Sequence, residues 1–468
     1  MSDKDDIIAI SAAAPAEVSE IDLYQRREKI YTRKIEGFFQ RVRLFTGWPL
    51  LVGYFALPWI NLGDTPAVLF DLPARKFHVL TMTFWPQDFV MLAFLLMIAA
   101  FALFTVTAFA GRVWCGYTCP QTVWTAIFMW IEQKFEGSRL QRMKLDQEPM
   151  SLAKFRKKTL KHAGWITVAL ATGITFIGYF TPIRQLVPDL FSGQAGSWAT
   201  AWSIFFTCAT YINAAYMREQ VCTYMCPYAR FQSAMFDANT LIVSYDAARG
   251  EPRGSRRQDA PRNTTQGDCV DCQLCVQVCP TGIDIRDGLQ YQCIGCALCI
   301  DACNSIMDKM GYDRGLVSYT SENKLQGLTT KILRPRLVGY VTVLLVMVSV
   351  FSYTLAARNL LEFNVIRDRN QLFIEQADGS VDNVYTLHIV NKDALEHSVA
   401  IEVLDIHADI VGATELLIPG GEMREHSLRL RVPPEALQRP GQDLRFRVTQ
   451  RDNPEVSAER ESRFITPF

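Results

Sequence analysis

The sequence lacks an excess of charge of either sign. Its 48 lysine and arginine residues are matched by 48 aspartate and glutamate residues, so the formal net charge of the 468-residue chain is zero. Proteins that bind nucleic acid usually carry a basic surplus, and the composition gives no reason to expect that class. The start of the chain lacks the basic residues that precede an apolar signal segment, since Asp3, Asp5 and Asp6 lead into a polar stretch. We therefore expect no cleavable signal peptide.

Cysteine is distributed unevenly along the chain. Of 13 cysteines, eight form two copies of one run: Cys269, Cys272, Cys275, Cys279 and Cys293, Cys296, Cys299, Cys303. Thiolates bind the irons of cubane clusters, and in two-cluster ferredoxins the last cysteine of each run binds the other cluster. The first run is followed by Pro280, as is usual for ferredoxins, and the second by Asn304.

The two runs predict two 4Fe-4S clusters. The first would be held by Cys269, Cys272, Cys275 and Cys303, and the second by Cys293, Cys296, Cys299 and Cys279. The alternative is a pair of zinc sites, although zinc modules usually separate their cysteine pairs by a longer stretch. Cluster thiolates need a reducing compartment, which places this segment in the cytoplasm.

Five apolar stretches are long enough to cross a bilayer, which takes about 20 helical residues. They run over Leu44 to Ile60, Phe89 to Ala110, Trp165 to Pro182, Trp198 to Met217, and Leu337 to Ala356. The first is interrupted by Gly47, Pro49, Gly53 and Pro58. Whether this first segment fully spans therefore stays open.

Basic residues predict the orientation of these spans. They are dense before the first span, from Arg26 and Arg27 to Arg43, and between the second and third, from Arg112 to Lys161. The loop after the first span holds only Arg75 and Lys76, and the loop after the third only Arg184. The positive-inside rule then puts the N-terminus and the cysteine runs in the cytoplasm and the C-terminal part outside.

The C-terminal residues 360–468 show short alternating apolar runs separated by turn signals such as Gly420-Gly421. This pattern predicts an all-β sandwich of immunoglobulin-like size, with an interaction role. Before the cysteine runs, residues 246–267 combine arginines with glycine and proline. We expect them to form a solvated basic linker near the inner membrane surface.

Two further cysteine pairs repeat one another. They lie in the segments Trp114 to Pro120 and Val221 to Pro227, each after an even-numbered span, and comprise Cys115, Cys119, Cys222 and Cys226. A spacing of four would put both sulfurs of a pair on one helix face, and the following proline suits the first turn of a new helix. Four such thiols could bind Cu(I), hold another metal or cycle between dithiol and disulfide. The alternative is that they are inert buried cysteines, the interpretation that we prefer for Cys208.

Together these patterns predict a multidomain chain. An α-helical transmembrane bundle of about five spans carries an inserted α+β two-cluster ferredoxin domain and ends in an all-β immunoglobulin-like sandwich. The predicted segments are 1–43 (cytoplasmic), 44–245 (four spans), 246–267 (linker), 268–320 (ferredoxin), 337–356 (fifth span) and 360–468 (periplasmic domain).

This order of segments, with the motifs of Trp114 to Pro120 and Cys222 to Pro227 and both cysteine runs, resembles the cytochrome c oxidase accessory protein family known as CcoG, RdxA or FixG. The resemblance implies a bacterial cytoplasmic membrane protein that reduces Cu(II) to Cu(I) for assembly of a cbb3-type oxidase. It further implies a copper chaperone, oxidase-assembly factors and oxidase subunits as partners, and Cys115, Cys119, Cys222 and Cys226 as the copper site.

Two other functions stay open at this point. The chain also resembles membrane polyferredoxins, so a quinol or a cytoplasmic donor could feed its clusters and another redox partner could receive the electrons. The third possibility is a non-enzymatic assembly scaffold, in which the clusters are structural or sensory.

Overall fold

The computed structural model describes residues 29–63, 65–258, 265–369, 371–393, 395–436 and 441–467. Within these residues the chain forms a helical part, a cysteine-rich module and a C-terminal β part. Two of the basic residues before the first predicted span, Arg26 and Arg27, lie outside the described residues. So does Arg262 of the predicted basic linker.

The first part is helical. Its helices are α1 (Phe38–Ala56), α2 (Phe89–Ala110), α3 (Val113–Tyr117), α4 (Pro120–Glu136), α5 (Arg139–Gln147), α6 (Leu152–Gly178), α7 (Ile183–Ser192), α8 (Ser197–Tyr211) and α9 (Pro227–Ala234). Two π-helical turns, Ile212–Met217 and Val221–Met225, lie between α8 and α9. Between α1 and α2 lie the short strands β1 (Asn61–Leu62), β2 (Thr65–Pro66), β3 (Val68–Asp71), β4 (Lys76–Val79) and β5 (Met82–Phe84).

Three helices in the described part of the chain are long and apolar enough to cross a membrane: Pro86–Ala110, Leu152–Gly178 and Pro335–Ala356. They contain most of the second, third and fifth predicted spans. The first and fourth predicted spans are also helical, but α1 contains Pro49 and α8 gives way to a π-helical turn after 15 residues. The number of about five spans stays a prediction.

Helix α6 begins 13 residues before the predicted span. Its first turn is capped by Ser151, whose hydroxyl accepts a hydrogen bond from the backbone N–H of Lys154 at 3.2 Å. Such a cap satisfies one of the free donors at a helix start. The helix therefore includes a charged stretch before Trp165, where its apolar stretch begins.

The cysteine-rich module starts earlier than predicted. Its elements are β6 (Ile242–Tyr245), α10 (Ala247–Gly250), α11 (Leu274–Gln277), α12 (Leu298–Met310), β7 (Val317–Thr320) and α13 (Glu322–Leu325). Strands β6 and β7 pair antiparallel, with Ile242 opposite Thr320. Because β6 is the partner of β7, the module includes the described residues 242–258 and 265–267 as well as the predicted 268–320.

The predicted basic linker packs against this module where it is described. Arg249 forms an ion pair with Asp268 at 2.7 Å, and the Arg256 guanidinium lies 5.3 Å from the ring centre of Tyr312. A solvated linker would not make these contacts. Arg249 and Arg256 are held because the module offers a carboxylate and an aromatic ring beside them.

The module is attached to α1 through Asp301 of α12. The Asp301 carboxylate accepts hydrogen bonds from the backbone N–H groups of Phe39 at 3.2 Å and Gln40 at 2.8 Å. These are free donors of the first turn of α1, and a negative charge there also complements the helix dipole. The cysteine-rich module thus caps a helix of the helical part.

The long helices α2 and α14 (Pro335–Ala356) run antiparallel and are held at both ends. At the start of α14, Arg334 donates to the carbonyl of Ala108 near the end of α2. At the other end, Arg358, two residues after α14, lies 3.9 Å from Asp88, which directly precedes α2, and the buried Lys392 of the β part pairs with the same carboxylate at 2.9 Å. The cysteine-rich module and the β part therefore lie at opposite ends of this helix pair.

The C-terminal part is a β-sandwich. Its strands are β8 (Leu361–Arg367), β9 (Ile374–Glu375), β10 (Val381–Asn391), β11 (His397–Leu404), β12 (Asp409–Val411), β13 (Glu415–Ile418), β14 (Met423–Val432), β15 (Gly441–Gln450) and β16 (Ser457–Ile465). One sheet has the order β12-β14-β10-β8, with β9 also on β10, and the other has β13-β11-β15-β16. The alternating apolar residues of both sheets, such as Tyr385, Leu387 and Phe446, form one buried core. This confirms the predicted immunoglobulin-like sandwich.

Candidate functional site

The structure gathers four cysteines of the first predicted set around one cavity. Cys269, Cys272 and Cys275 come from the first run, and Cys303 reaches the same cavity from α12. The remaining wall is largely apolar and includes Leu274, Met307, Leu316 and Val317. The cavity is thus lined by thiols from two separate segments, in the grouping that the sequence predicts.

A second cavity is lined by Cys279, Cys293, Cys296 and Cys299. Cys275 lines this cavity as well as the first, so the two sites share a wall. Among the described residues, no acidic side chain lines either cavity. The shared wall leaves only a short path for electrons between the two sites.

Each cysteine run turns at a residue in the left-handed region of backbone space. Gln273 has φ 55° and Ala297 has φ 59°, and each directly follows the second cysteine of its run. Such values are uncommon for residues other than glycine and cost free energy. The same turn at the same place in both runs shows that the sequence repeat is also a structural repeat.

The chemistry of these thiols fits a positively charged iron centre. Burial raises the pKa of Cys293 and that of Cys303 to about 12, and that of Cys275 to about 11. Thiols with such values stay protonated at neutral pH, and metal ions are what convert buried thiols into thiolate ligands. Four soft sulfur donors around an apolar cavity are the ligand set of a 4Fe-4S cluster.

The two cysteine pairs do not lie on continuous helices. Cys115 lies within α3, whereas Cys119 is extended (φ −58°, ψ 128°) and immediately precedes α4. Cys222 lies in a π-helical turn, and Cys226 is extended immediately before α9. A spacing of four puts both sulfurs on one helix face only if the segment is helical, and neither segment is a continuous helix. The prolines do stand at the first helical positions, as predicted.

The four thiols of the pairs are nevertheless neighbours. Burial raises the pKa of Cys115 to about 12, and negative charge on Cys119, Cys222 and Cys226 would raise it further. The Cys115 thiol donates to the side-chain oxygen of the buried Gln232 at 3.3 Å. Within the described residues, however, no set of three or more histidine, cysteine or acidic side chains is arranged to hold a single metal ion. The pairs meet without forming a closed mononuclear site.

Gly116 brings the first pair against the second cavity. A Cβ atom at Gly116 would lie 2.8 Å from Cα and 2.9 Å from the backbone nitrogen of Cys296, so only glycine allows this approach. Cys115 and Cys222 also pack on the apolar residues that surround Cys296, among them Leu274 and Ile294. The backbone of the cysteine-pair site is therefore in direct contact with the backbone of the second cysteine run.

Arg112 connects both sites from the opposite side. Its buried guanidinium donates to the carbonyl of Tyr291, to that of Cys293 at 3.3 Å and to that of Ala229 on α9. Its positive charge lowers the pKa of Cys115, Cys222 and Cys293 against the larger effect of burial. One side chain thus orders three segments and favours thiolates in both sites.

Arg112, Gly116 and Gln232 were not recognised as functional residues in the sequence. Arg112 was counted only as a basic residue of a loop, and Gly116 only as part of the repeated motif. The two motifs differ at this position, since the first has Gly116 where the second has Thr223. This difference is the one signal in the sequence for a special role of Gly116. Cys208, in contrast, is exposed on α8 and lines neither cysteine cavity.

The fold and the site define a membrane iron–sulfur electron-transfer protein. Family models described as a 4Fe-4S dicluster domain and a 4Fe-4S binding domain match residues 217–322 and 92–137. A model described as an IG-like fold at the C-terminal of FixG matches residues 351–467. The 4Fe-4S binding domain model, over residues 92–137, covers Cys115 and Cys119.

Comparison with known proteins identifies the family. The chain is 40% identical to the nitrogen fixation protein FixG of Rhizobium meliloti over 81% of this chain and 80% of that protein. It is 38% identical to protein RdxB and 37% identical to protein RdxA of Cereibacter sphaeroides, over 86% and 85% of this chain and 88% and 87% of those proteins. The crystal structure of a FixG-related protein from Vibrio parahaemolyticus is 29% identical, with a TM-score of 0.22 over 23% of this chain and 98% of that chain. The chain belongs to the FixG and RdxA family.

Proposed function

We propose that this protein is a cupric reductase that supplies Cu(I) for assembly of a cbb3-type cytochrome c oxidase. The eight cysteines that line the two cavities hold two 4Fe-4S clusters, and Cys115, Cys119, Cys222 and Cys226 receive copper as the substrate. The observation that carries this proposal is the backbone contact of Gly116 with Cys296, with a would-be Cβ only 2.8 Å from Cα. It places the backbone of the first thiol pair directly against the second cluster site.

The cysteine pairs favour the reduced ion. Cu(II) prefers nitrogen and oxygen ligands, whereas Cu(I) prefers sulfur, so a site of four thiols stabilises the product of a one-electron reduction. When bound, each cluster supplies one electron at a potential set by its charge, hydrogen bonds and exposure. The side-chain oxygen of Gln232 accepts a hydrogen bond from the Cys115 thiol and so orients this thiol. Arg112 offsets the negative charge that copper-binding thiolates bring.

The location of the two end modules follows from the same proposal. The cysteine-rich module lies in the cytoplasm and receives electrons from a cytoplasmic or quinol donor. The β-sandwich lies in the periplasm, where it presents a docking surface to a copper chaperone, oxidase-assembly factors or oxidase subunits. Their positions at opposite ends of α2 and α14, and the basic residues near the cysteine-rich end, support this orientation.

A second candidate role for the pairs is a further 4Fe-4S cluster. The match of a 4Fe-4S binding domain model over Cys115 and Cys119 favours it. In that case the protein passes electrons onward without copper. Iron content separates the two roles, because each cluster contributes four iron atoms.

The test replaces Cys115, Cys119, Cys222 and Cys226 by serine, with Cys208→Ser as the matched control. The protein is purified without oxygen, its clusters are reduced, and Cu(I) formation from Cu(II) is followed with a coloured Cu(I) chelator. We expect the quadruple variant to keep about eight irons per chain and to lose copper binding and reduction, whereas the control keeps both. Undiminished reduction contradicts the proposal, and a loss of about four irons assigns the pairs to a cluster.

A further inference from the structure

A basic cavity lies beside Pro280, which directly follows the first cysteine run, where the apolar stretch of α6 begins. Its volume is about 380 Å³, and four of its lining residues carry positive charge: Lys29, Lys158, Lys161 and Arg218. Glu219 is the one acidic residue among those that line it in the described structure. The lining therefore favours an anion.

Buried carboxylates hold these cations in place from behind. Glu136, which is fully buried, lies 2.8 Å from Lys161 and 2.9 Å from Lys158. The equally buried Glu132 lies 3.0 Å from Arg218. Because neither Glu132 nor Glu136 lines the cavity, a ligand there meets the four cations together with Glu219 alone among the acidic residues of the described lining.

The charges around the basic cavity do not cancel. Five cations lie at or directly behind the wall of the basic cavity. Four of them line it, and the fifth is Arg142, whose side chain lies 3.4 Å from Glu132. The carboxylates are four: Glu132, Glu136 and Glu219, together with Asp146, which lies 2.7 Å from Lys29. One positive charge is left over, and this matches the single negative charge of a phosphodiester.

The remaining walls suit a lipid. Trp165 lies under Lys161 and Arg218, whose cationic groups are 4.6 and 5.6 Å from its ring centre. Met129 and Ala215 add apolar surface. Tryptophan and lysine at the end of a spanning helix mark the membrane–water interface, and basic pockets between such helices bind anionic headgroups.

We propose that the basic cavity binds the phosphate of an anionic phospholipid headgroup. Pro280 lines the same cavity. It directly follows Cys279, which ends the first cysteine run and lines the second cysteine cavity. A lipid bound there contacts the cysteine-rich module and the helical part together. The bound lipid therefore fixes the module to the membrane beside its second cluster site. The proposal does not depend on what the cysteine pairs bind.

The test measures lipid binding to the full-length protein. Purified protein is placed in nanodiscs of phosphatidylcholine with or without phosphatidylglycerol, and retained lipid is counted by native mass spectrometry after extraction into detergent. Inorganic phosphate in detergent without lipid, read out by thermal stability, serves as the second arm. We expect phosphatidylglycerol to be retained over phosphatidylcholine. Equal retention of the two lipids overturns the proposal, and stabilisation by inorganic phosphate with no retained phosphatidylglycerol overturns the lipid as its source.

Charge variants locate the binding. In Lys29→Gln with Lys158→Gln, two partly exposed cations are lost, and phosphatidylglycerol should bind about 25-fold more weakly, because each such residue contributes roughly fivefold. The matched control, Arg156→Gln with Lys157→Gln, removes two exposed charges from α6, the helix of Lys158, outside the cavity lining. It should bind as the unaltered protein does, and an equal loss in the control overturns the proposal. Lys29→Gln alone should cost about fivefold, and iron content verifies that each variant is folded.

Discussion

The close approach at Gly116 gives a prediction whose size can be worked from distances. In Gly116→Ala, the new methyl group would lie 2.8 Å from Cys296 Cα, 2.9 Å from Cys296 N and 3.0 Å from the carbonyl carbon of Gly295. An ordinary contact begins at 3.4 Å, so the two backbones must separate by about 0.6 Å. All three atoms belong to the backbone, and no side chain can rotate away. Such overpacking costs about 1 to 3 kcal/mol.

Helix propensity acts in the opposite direction. Gly116 lies in α3, where alanine is favoured over glycine by about 1 kcal/mol in an exposed helix. The matched control is Gly53→Ala in α1, because a Cβ there meets nothing within 4 Å. The two substitutions share the glycine-to-alanine change within a helix. The difference between their stabilities therefore isolates the contact with Cys296, and we expect it to be about 1 to 3 kcal/mol.

Two measurements decide the matter. The first is the temperature at which cluster absorbance is lost from the purified protein, where we expect Gly116→Ala to fall below Gly53→Ala by several degrees. The second is the rate at which reduced clusters are reoxidised by Cu(II), where we expect Gly116→Ala alone to be slower, because the electron path becomes longer. Equal stability and equal rates in the two variants would refute the contact and the electron path assigned to it.

Two further predictions concern residues that hold the cysteine-rich module. Arg112→Gln removes charged hydrogen bonds to three carbonyl groups, each worth about 1.5 to 3 kcal/mol, and we expect iron analysis to show loss of the cluster next to Cys293 while the other stays. Full iron content would contradict this role, and Arg112→Lys tests whether charge alone suffices. Asp301→Ala removes the cap from the N–H groups of Phe39 and Gln40 and should cost about 1 kcal/mol, seen as faster hydrogen exchange at the start of α1. Asp301→Asn, which keeps an acceptor, is the control, and unchanged exchange in the alanine variant would show that the cap contributes nothing.

Short-range patterns predicted much of this molecule. Alternation in the C-terminal part predicted a sandwich, because period-two burial is a local property of strands. The apolar run from Phe89 to Ala110 predicted α2 with its observed bounds. The repeat of the two cysteine runs predicts two groups of four thiols; the first group lines one cavity, and the second group lines the other together with Cys275.

The remainder depends on contacts between distant residues. Their place in a basic stretch between two apolar segments indicates that Arg142 and Lys161 are loop charges, yet both are buried beside Glu132 and Glu136. The approach of Gly116 to Cys296 joins positions 180 residues apart, and nothing in either local segment predicts it. The bounds of α1 and α6 were missed because a capping residue, rather than hydropathy, determines where a helix begins. A solvated linker was expected because the partners of Arg249 and Arg256 are not visible in composition.

The fastening of α2 and α14 at both ends has a consequence for the choice of membrane. Each helix has 22 residues, or about 33 Å at 1.5 Å per residue. Since polar contacts of Arg334 with Ala108 and of Arg358 with Asp88 join the ends of the two helices, a thinner bilayer has to be met by tilting the pair as one body. For a hydrocarbon layer of about 27 Å this tilt is roughly 35°. Bilayer thickness would thus set the angle between the β-sandwich and the lipid surface. A change of lipid alone would then turn the sandwich toward or away from other proteins in the same membrane.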